Sequence, residues 1–139
     1  MFDFLMSEEH LALRDEARDM ARWVPRQYIL DMDADRIKFP REFLQECGRR
    51  GLLGIRIPQQ YGGRGRGWVE DIIVGEEIGV PGYAFGCAWG VGADVVCEAI
   101  CSFGTEEMKE RYVKPLTRGE VFAAECLTEP RGGSDFFGA

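Results

Sequence analysis

Apolar positions recur at helical spacing along most of the chain, in segments that glycine and proline separate. The first segment begins at Ser7, a good helix N-cap, and ends at Pro25, which cannot continue a helix. Its apolar residues follow one another at intervals of four, three and four, as on one buried helix face. These residues are Leu13, Ala17, Met20 and Val24. The pattern predicts an amphipathic first helix.

Four more helices are predicted, after a linker that is rich in aspartate at residues 26–39. Their ranges are about 40–50, 68–78, 84–102 and 105–113. The fourth is apolar on nearly all sides, which is typical of a central, buried helix. The fifth is expected to end before Pro115, because proline has no N–H to continue the helical hydrogen bonds.

The last part of the chain has a different pattern. Residues 121–128 carry no helical stripe, and turn residues flank them on both sides, which indicates a β-strand. A single strand needs partners to be stable. We therefore predict an all-α fold over residues 1–119, a helical bundle, followed at 120–139 by the opening strand and turn of a β domain.

Charge and hydropathy narrow the range of partners. The 139 residues carry a net charge of −7 and a pI near 4.8, so binding to nucleic acid or to anionic membranes is not expected. The longest apolar stretch, Tyr83–Phe103, contains Asp94 and Glu98. Because charges are costly in lipid, this stretch is interpreted as a buried helix and not as a membrane span.

The five cysteines indicate a reducing compartment. Their number is odd, and no pair has the Cys-x-x-Cys spacing of many redox and metal sites. Since the N-terminus also lacks the basic and then apolar layout of a signal peptide, we expect a cytoplasmic protein. Cys97 and Cys101 share a helix face, but His10 is the only histidine, so small buried thiols are favoured over a metal site.

Two other features carry possible chemistry. Asp94 and Glu98 lie four residues apart on the apolar fourth helix, where a carboxylate usually has a raised pKa or a bound partner. A structural role and a place in the wall of a substrate pocket are equally open for them. The run Gly63-x-Gly65-x-Gly67 lacks the spacing of a phosphate-binding loop and is interpreted as a connection between helices.

The end of the chain resembles the signature of the acyl-CoA dehydrogenase family. The matching residues are Leu127-Thr128-Glu129-Pro130-x-x-Gly133-Ser134-Asp135. Four upstream segments resemble the family in the same order. They are Phe39-Pro40-x-x-Phe43, Gly51-Leu52-Leu53-Gly54-Ile55, Tyr61-Gly62-Gly63 and Gly104-Thr105-Glu106-Glu107. The resemblance covers nearly the whole chain.

The resemblance implies an FAD-dependent enzyme that oxidises an acyl-CoA thioester to the 2,3-enoyl-CoA. In this family a carboxylate base removes the α-proton, the flavin accepts the β-hydride, and electrons pass to electron-transfer flavoprotein. Family members are usually homo-oligomers with an N-terminal helical domain, a middle β domain and a C-terminal helical bundle. This sequence resembles the first domain and the opening strand of the second.

The resemblance also implies roles for single residues. The backbone of Leu127 and the hydroxyl of Thr128 are expected to contact the flavin pyrimidine ring. Gly133 and Ser134 are expected to approach the FAD pyrophosphate, where glycine lets the backbone come close. The fourth helix is expected to line the acyl pocket. This placement would give its polar residues, Asp94 and Glu98, a role in the pocket wall.

No catalytic residue is expected within this sequence. The catalytic glutamate of the family lies in the C-terminal domain, so the 139-residue chain alone is expected to be inactive. The alternative is a standalone helical module that has lost catalysis and pairs with other subunits through the strand at 121–128. The particular acyl-CoA is left open.

Overall fold

The computed structural model describes residues 3–134, so Asp135 of the tail motif lies outside the described residues. The predicted all-α fold is confirmed. The α-helices are α1 (Glu8–Trp23), α2 (Arg26–Asp33), α3 (Arg41–Arg49), α4 (Trp68–Ile78), α5 (Tyr83–Gly90), α6 (Cys97–Phe103), α7 (Glu106–Met108) and α8 (Lys114–Thr117). Two π-helical turns, π1 (Val91–Val96) and π2 (Lys109–Val113), join α5 to α6 and α7 to α8. Short 3-10 turns occupy Asp3–Leu5 and Gln59–Tyr61.

Helix α1 forms as predicted. The Ser7 hydroxyl accepts a hydrogen bond from the backbone N–H of His10 at 3.2 Å, and the Ser7 N–H donates to the His10 ring at 3.4 Å. This reciprocal cap satisfies two backbone donors that a helix start leaves free. The predicted stripe is buried, and α1 packs along α4.

The prediction of a linker at residues 26–39 is wrong over its first part, which forms α2. Tyr28, Ile29 and Met32 are partly buried against the hydrophobic core. They occupy one face of a two-turn helix, which is too short for its periodicity to stand out from the aspartates around it. Packing against the core therefore decides that this segment is helical.

The main core lies between α1, α3, α4 and α5. Phe43 is fully buried, and its ring meets Phe85 edge-on with centroids 4.9 Å apart. The buried indole N–H of Trp89 donates to the carbonyl of Leu52 at 2.6 Å. This hydrogen bond ties α5 to the loop after α3, and it satisfies the polar atoms that burial would otherwise leave unpaired.

Trp89→Phe is expected to lower the free energy of unfolding by about 1–3 kcal/mol. The smaller ring removes the donor and leaves the Leu52 carbonyl buried without a partner. Urea denaturation followed by circular dichroism measures the loss. Trp68→Phe is the matched control, because Trp68 is 62% exposed. An equal loss in both variants would contradict this reasoning.

The prediction that the fifth helix ends before Pro115 is also wrong. The helix passes through π2 and continues into α8, with Pro115 in its first turn. A π turn changes the hydrogen-bond register of the helix, so the backbone does not need the N–H that proline lacks.

The predicted strand at residues 121–128 does not form, and residues 3–134 contain no strand. A strand is stabilised by hydrogen bonds to a neighbouring strand, and this segment has no such neighbour among the described residues. Its first part packs on the helices instead. Phe122 meets the ring of Phe39 at 5.3 Å and lies under the Arg41 guanidinium at 4.7 Å.

Tyr83–Phe103 forms one apolar helix that is long and apolar enough to cross a membrane by length and composition alone. One face of it is buried in the protein, at Phe85, Trp89, Ala93 and Cys97. Only 33% of the most apolar stretch of this helix is buried. The prediction of a buried helix is therefore right for this face alone. The opposite face borders an open cavity.

Candidate functional site

A cavity of about 780 Å³ lies between helix α4, the Tyr83–Phe103 helix and the loop before α4. We call it the helical cavity. Part of its wall is apolar and includes Trp68, Val91, Val95, Ala99 and Phe103. Its charged residues are Arg56, Asp71, Asp94 and Glu98, and we call the part of the wall that they form the polar wall. The structure thus brings the predicted pair, Asp94 and Glu98, together in one pocket wall.

Arg56 organises the polar wall. Its Nε donates to Asp71 at 3.0 Å, and its Nη1 lies 2.6 Å from a carboxylate oxygen of Glu98. Its guanidinium carbon lies 3.5 Å from the ring centroid of Trp68, which is cation–π contact. One arginine therefore joins the loop, the first turn of α4 and helix α6.

Asp94 and Asp71 are the two most buried acidic groups of this wall, at 6% and 8% exposed. The Oδ1 atom of each is buried and receives no N–H or hydroxyl donor from the described residues. Both carboxyl groups lie in the wall of the same cavity, and each affects the pKa of the other. Burial, and then the negative charge of Asp71, raise the pKa of Asp94 to about 7.

Asp71 differs from Asp94 because it has a cation beside it. Burial raises the pKa of Asp71, while the hydrogen bond and the charge of Arg56 oppose that rise. Below about pH 7 the proton of the pair is therefore assigned to Asp94, and the negative charge to Asp71 beside Arg56.

Sequence reasoning missed Arg56 and Asp71. Arg56 lies in an irregular loop, where no periodicity marks it, and Asp71 resembles any acidic residue in the first turn of a helix. The apolar residues on both sides of Arg56, Ile55 and Ile57, are buried. The sequence signal that could have revealed this site is a lone arginine within a buried apolar run, because a buried cation needs a carboxylate partner.

The four residues expected to bind flavin lie in the exposed tail. Leu127, Thr128, Gly133 and Ser134 are all solvent-exposed. A tight turn precedes Gly133, in which Glu129 and Gly132 exchange backbone hydrogen bonds at 3.2 and 3.0 Å. The turn brings Thr128 against Gly133, since a Cβ at Gly133 would lie 3.2 Å from the Thr128 hydroxyl oxygen. Their contact with flavin stays a prediction.

The glycine loop has a structural explanation. Gly62 has φ +91°, and a Cβ at Gly63 would lie 2.1 Å from the carbonyl oxygen of Ile57. Glycine is needed there for close backbone packing, which agrees with the interpretation as a connection between helices.

Of the two cysteines predicted to be small buried thiols, Cys97 is buried and Cys101 is only partly buried. Burial raises the pKa of Cys97 to about 12, so its thiol stays protonated. Within residues 3–134, no group of three or more His, Cys, Asp or Glu side chains is placed to hold a metal ion.

Comparison with known proteins decides the family. The family model described as "Acyl-CoA dehydrogenase, N-terminal domain" matches residues 7–120. The chain belongs to the acyl-CoA dehydrogenase family. The resemblance first drawn from the tail motif and the four upstream segments is confirmed.

Among its relatives in the family is the mitochondrial isovaleryl-CoA dehydrogenase of Pongo abelii, which is 34% identical over 132 residues, or 94% of this chain and 31% of that protein. The acyl-CoA dehydrogenase of Bacillus anthracis, solved in complex with FAD, is 31% identical with a TM-score of 0.86, over 96% of this chain and 23% of that one. A chain from the electron transferring flavoprotein of Acidaminococcus fermentans is 28% identical with a TM-score of 0.84, over 94% of this chain and 34% of that one. This chain spans between about a fifth and a third of the length of the curated relatives it matches.

Proposed function

We propose that this chain is the N-terminal part of an FAD-dependent acyl-CoA dehydrogenase that oxidises an acyl-CoA thioester to the 2,3-enoyl-CoA. The observation that carries the proposal is the helical cavity, mostly apolar and open on one side, in a chain of this family. Its volume of about 780 Å³ is in the range of small-molecule pockets. The apolar wall suits an acyl chain. We place the far end of that chain beside Asp94 and Glu98.

The exposed tail fits the flavin. The glycine-containing turn is exposed to solvent, and nothing lies within 4 Å of the position of a Cβ at Gly132. A backbone without side chains can approach a pyrophosphate closely, while the Thr128 hydroxyl and the Leu127 backbone can hydrogen-bond a polar ring edge. Bound FAD supplies the hydride acceptor. This chain's own part is to hold the cofactor edge, orient the acyl group and exclude water.

The remaining parts of the proposal concern partners. The catalytic carboxylate lies outside this sequence, so the chain alone is inactive. Electron-transfer flavoprotein is the acceptor, a proposal that the similarity to a chain from such a flavoprotein structure supports. The working enzyme is a homo-oligomer in the cytoplasm.

Thr128→Val, made in the protein encoded by the complete reading frame that contains this sequence, is expected to weaken FAD binding about tenfold. The loss of one hydrogen bond to a bound ring costs about 1–1.5 kcal/mol, which corresponds to that factor. Flavin absorbance after dilution and gel filtration measures the occupancy. Thr128→Ser is the matched control, because it keeps the hydroxyl and is expected to retain the flavin.

The outcomes separate the proposed function from the interaction module. A complete protein of 15.7 kDa that never binds FAD would overturn the proposal and favour the standalone module. A longer yellow protein that oxidises an acyl-CoA, with the 139-residue chain itself colourless, is the expected result.

A further inference from the structure

The polar wall of the helical cavity carries more negative than positive charge. Its charged groups are Arg56, Asp71, Asp94 and Glu98, and one guanidinium therefore faces three carboxyl groups. Arg56 is already engaged by Asp71 and Glu98 and stacks on Trp68. Even with a proton on Asp94, an excess negative charge remains at this end of the cavity.

A shared proton is the simplest way to satisfy the buried oxygens. Asp71 and Asp94 each bury one oxygen that no N–H or hydroxyl of the described residues reaches. Two ionised carboxylates in contact repel each other, and a buried acceptor without a donor is unfavourable. A proton between the two groups removes both problems at once.

Among residues 3–134, the surroundings of Asp94 offer no other source of neutralisation. Arg56 and Asp71 act on it from the loop and from α4, and Glu98 acts from the next turn of its own helix. Cys97 keeps its proton because burial raises the pKa of its thiol. Helix α8 also touches π1, but the ammonium of its Lys114 is paired with Glu110 at 2.6 Å.

We infer that Asp71 and Asp94 share one proton and that the wall they form with Glu98 makes the cavity select acyl groups whose far end carries no negative charge. This inference rests on the proposed function, because it takes the helical cavity to hold the acyl group with its far end at this wall. It assigns Asp94 and Glu98 as specificity-determining residues. A terminal carboxylate would face the excess negative charge in a site partly shielded from water, where Coulomb repulsion is strong.

The shared proton can be tested on the 139-residue chain itself. Carboxyl ¹³C NMR across about pH 3 to 9 is expected to show one aspartate that titrates near neutrality. That transition should disappear in Asp94→Asn and remain in Glu107→Gln, the matched control at an exposed glutamate. Titration of every carboxyl below about pH 5 would overturn the shared proton. Should Asp94→Asn not fold, Asp71→Asn is the second variant and is expected to shift the transition downward.

The selectivity can be tested on the longer flavin-loaded enzyme with two substrates of equal length, hexanoyl-CoA and adipyl-CoA. We expect kcat/KM for hexanoyl-CoA to exceed that for adipyl-CoA at least tenfold at pH 7. Glu98→Gln should narrow the difference. Asp94→Asn should abolish the increase of the difference between about pH 6 and 8, which arises as the shared proton leaves and the wall becomes more negative.

The outcomes of these experiments distinguish a failure of the selectivity from a failure of the proposed function. Equal use of both substrates, unchanged by Glu98→Gln, would overturn the selectivity. If neither substrate is oxidised and no FAD binds, the proposed function fails and the substrate assignment fails with it. The NMR titration of the chain still decides the shared proton in that case, because it depends on neither turnover nor flavin.

Discussion

Asp94→Asn is expected to stabilise the folded chain by about 2–4 kcal/mol near pH 8. Burial and Asp71 raise the pKa of Asp94 from an ordinary 3.8 to about 7, so at pH 8 the folded state holds an ionised carboxylate at a site that disfavours the charge. Asparagine stays neutral at every pH, and its amide can donate to the buried oxygen of Asp71. One unit of pKa is worth about 1.4 kcal/mol, which sets the upper end of the range.

The sign of the pH dependence follows from the same shift. Because the folded pKa lies above the unfolded one, the stability due to the Asp94 proton is complete below about pH 4. It is lost as the pH rises to about 7. Urea denaturation at several values between about pH 5 and 8 should show this decline in the native chain and a flatter profile in Asp94→Asn.

Glu46 shows the opposite behaviour in a different window. Hydrogen bonds from Arg49 and Arg50 lower its pKa from 4.5 to about 2. The stability that it contributes is therefore present above about pH 4.5 and is lost as the pH falls toward 2. This window overlaps with that of Asp94 only between about pH 4 and 4.5, so the two groups can be measured separately above and below that range. For the Asp94→Asn prediction, Glu107→Gln at an exposed glutamate is the control for the general effect of removing a negative charge. A native profile that does not decline between pH 5 and 8 would contradict the raised pKa.

Phe43→Ala is expected to lower the free energy of unfolding by about 3–5 kcal/mol. Phe43 is 0% exposed and packs edge-on against Phe85 at 4.9 Å between α3 and α5. Truncation removes most of a buried aromatic ring and leaves a cavity that the surrounding helices fill only in part. A loss of this size is a large share of the stability of a small domain. Chemical denaturation at pH 5, where the Asp94 proton is retained, measures it.

Phe39→Ala is the matched control for this prediction. Phe39 is 40% exposed, and its ring meets that of Phe122 at 5.3 Å. Its truncation removes less buried surface and should cost about 1 kcal/mol or less. Equal effects of the two substitutions would show that the core does not lie between α3 and α5.

Local sequence patterns were sufficient for the elements that depend on neighbours in the chain. Helix α1 combines a cap at Ser7, an acidic first turn and a continuous apolar stripe, and all three act within a few residues. Helix α2 was missed because its apolar face spans only Tyr28 to Met32, and its helical state depends on the core that it covers. The helix through Pro115 was missed because a π turn, which has no sequence periodicity of its own, precedes the proline.

The sequence by itself determined the helical class, the first helix and, through the tail motif, the family. These depend on spacing and on contiguous residues, and both are visible along a single chain. Only the tertiary structure decided the character of the cavity wall. Arg56 and Asp71 are 15 residues apart and lie on different elements from Asp94, so their contact exists only after the helices pack. The raised pKa of Asp94 follows from burial and from those neighbours, which are properties of the fold and not of any local pattern.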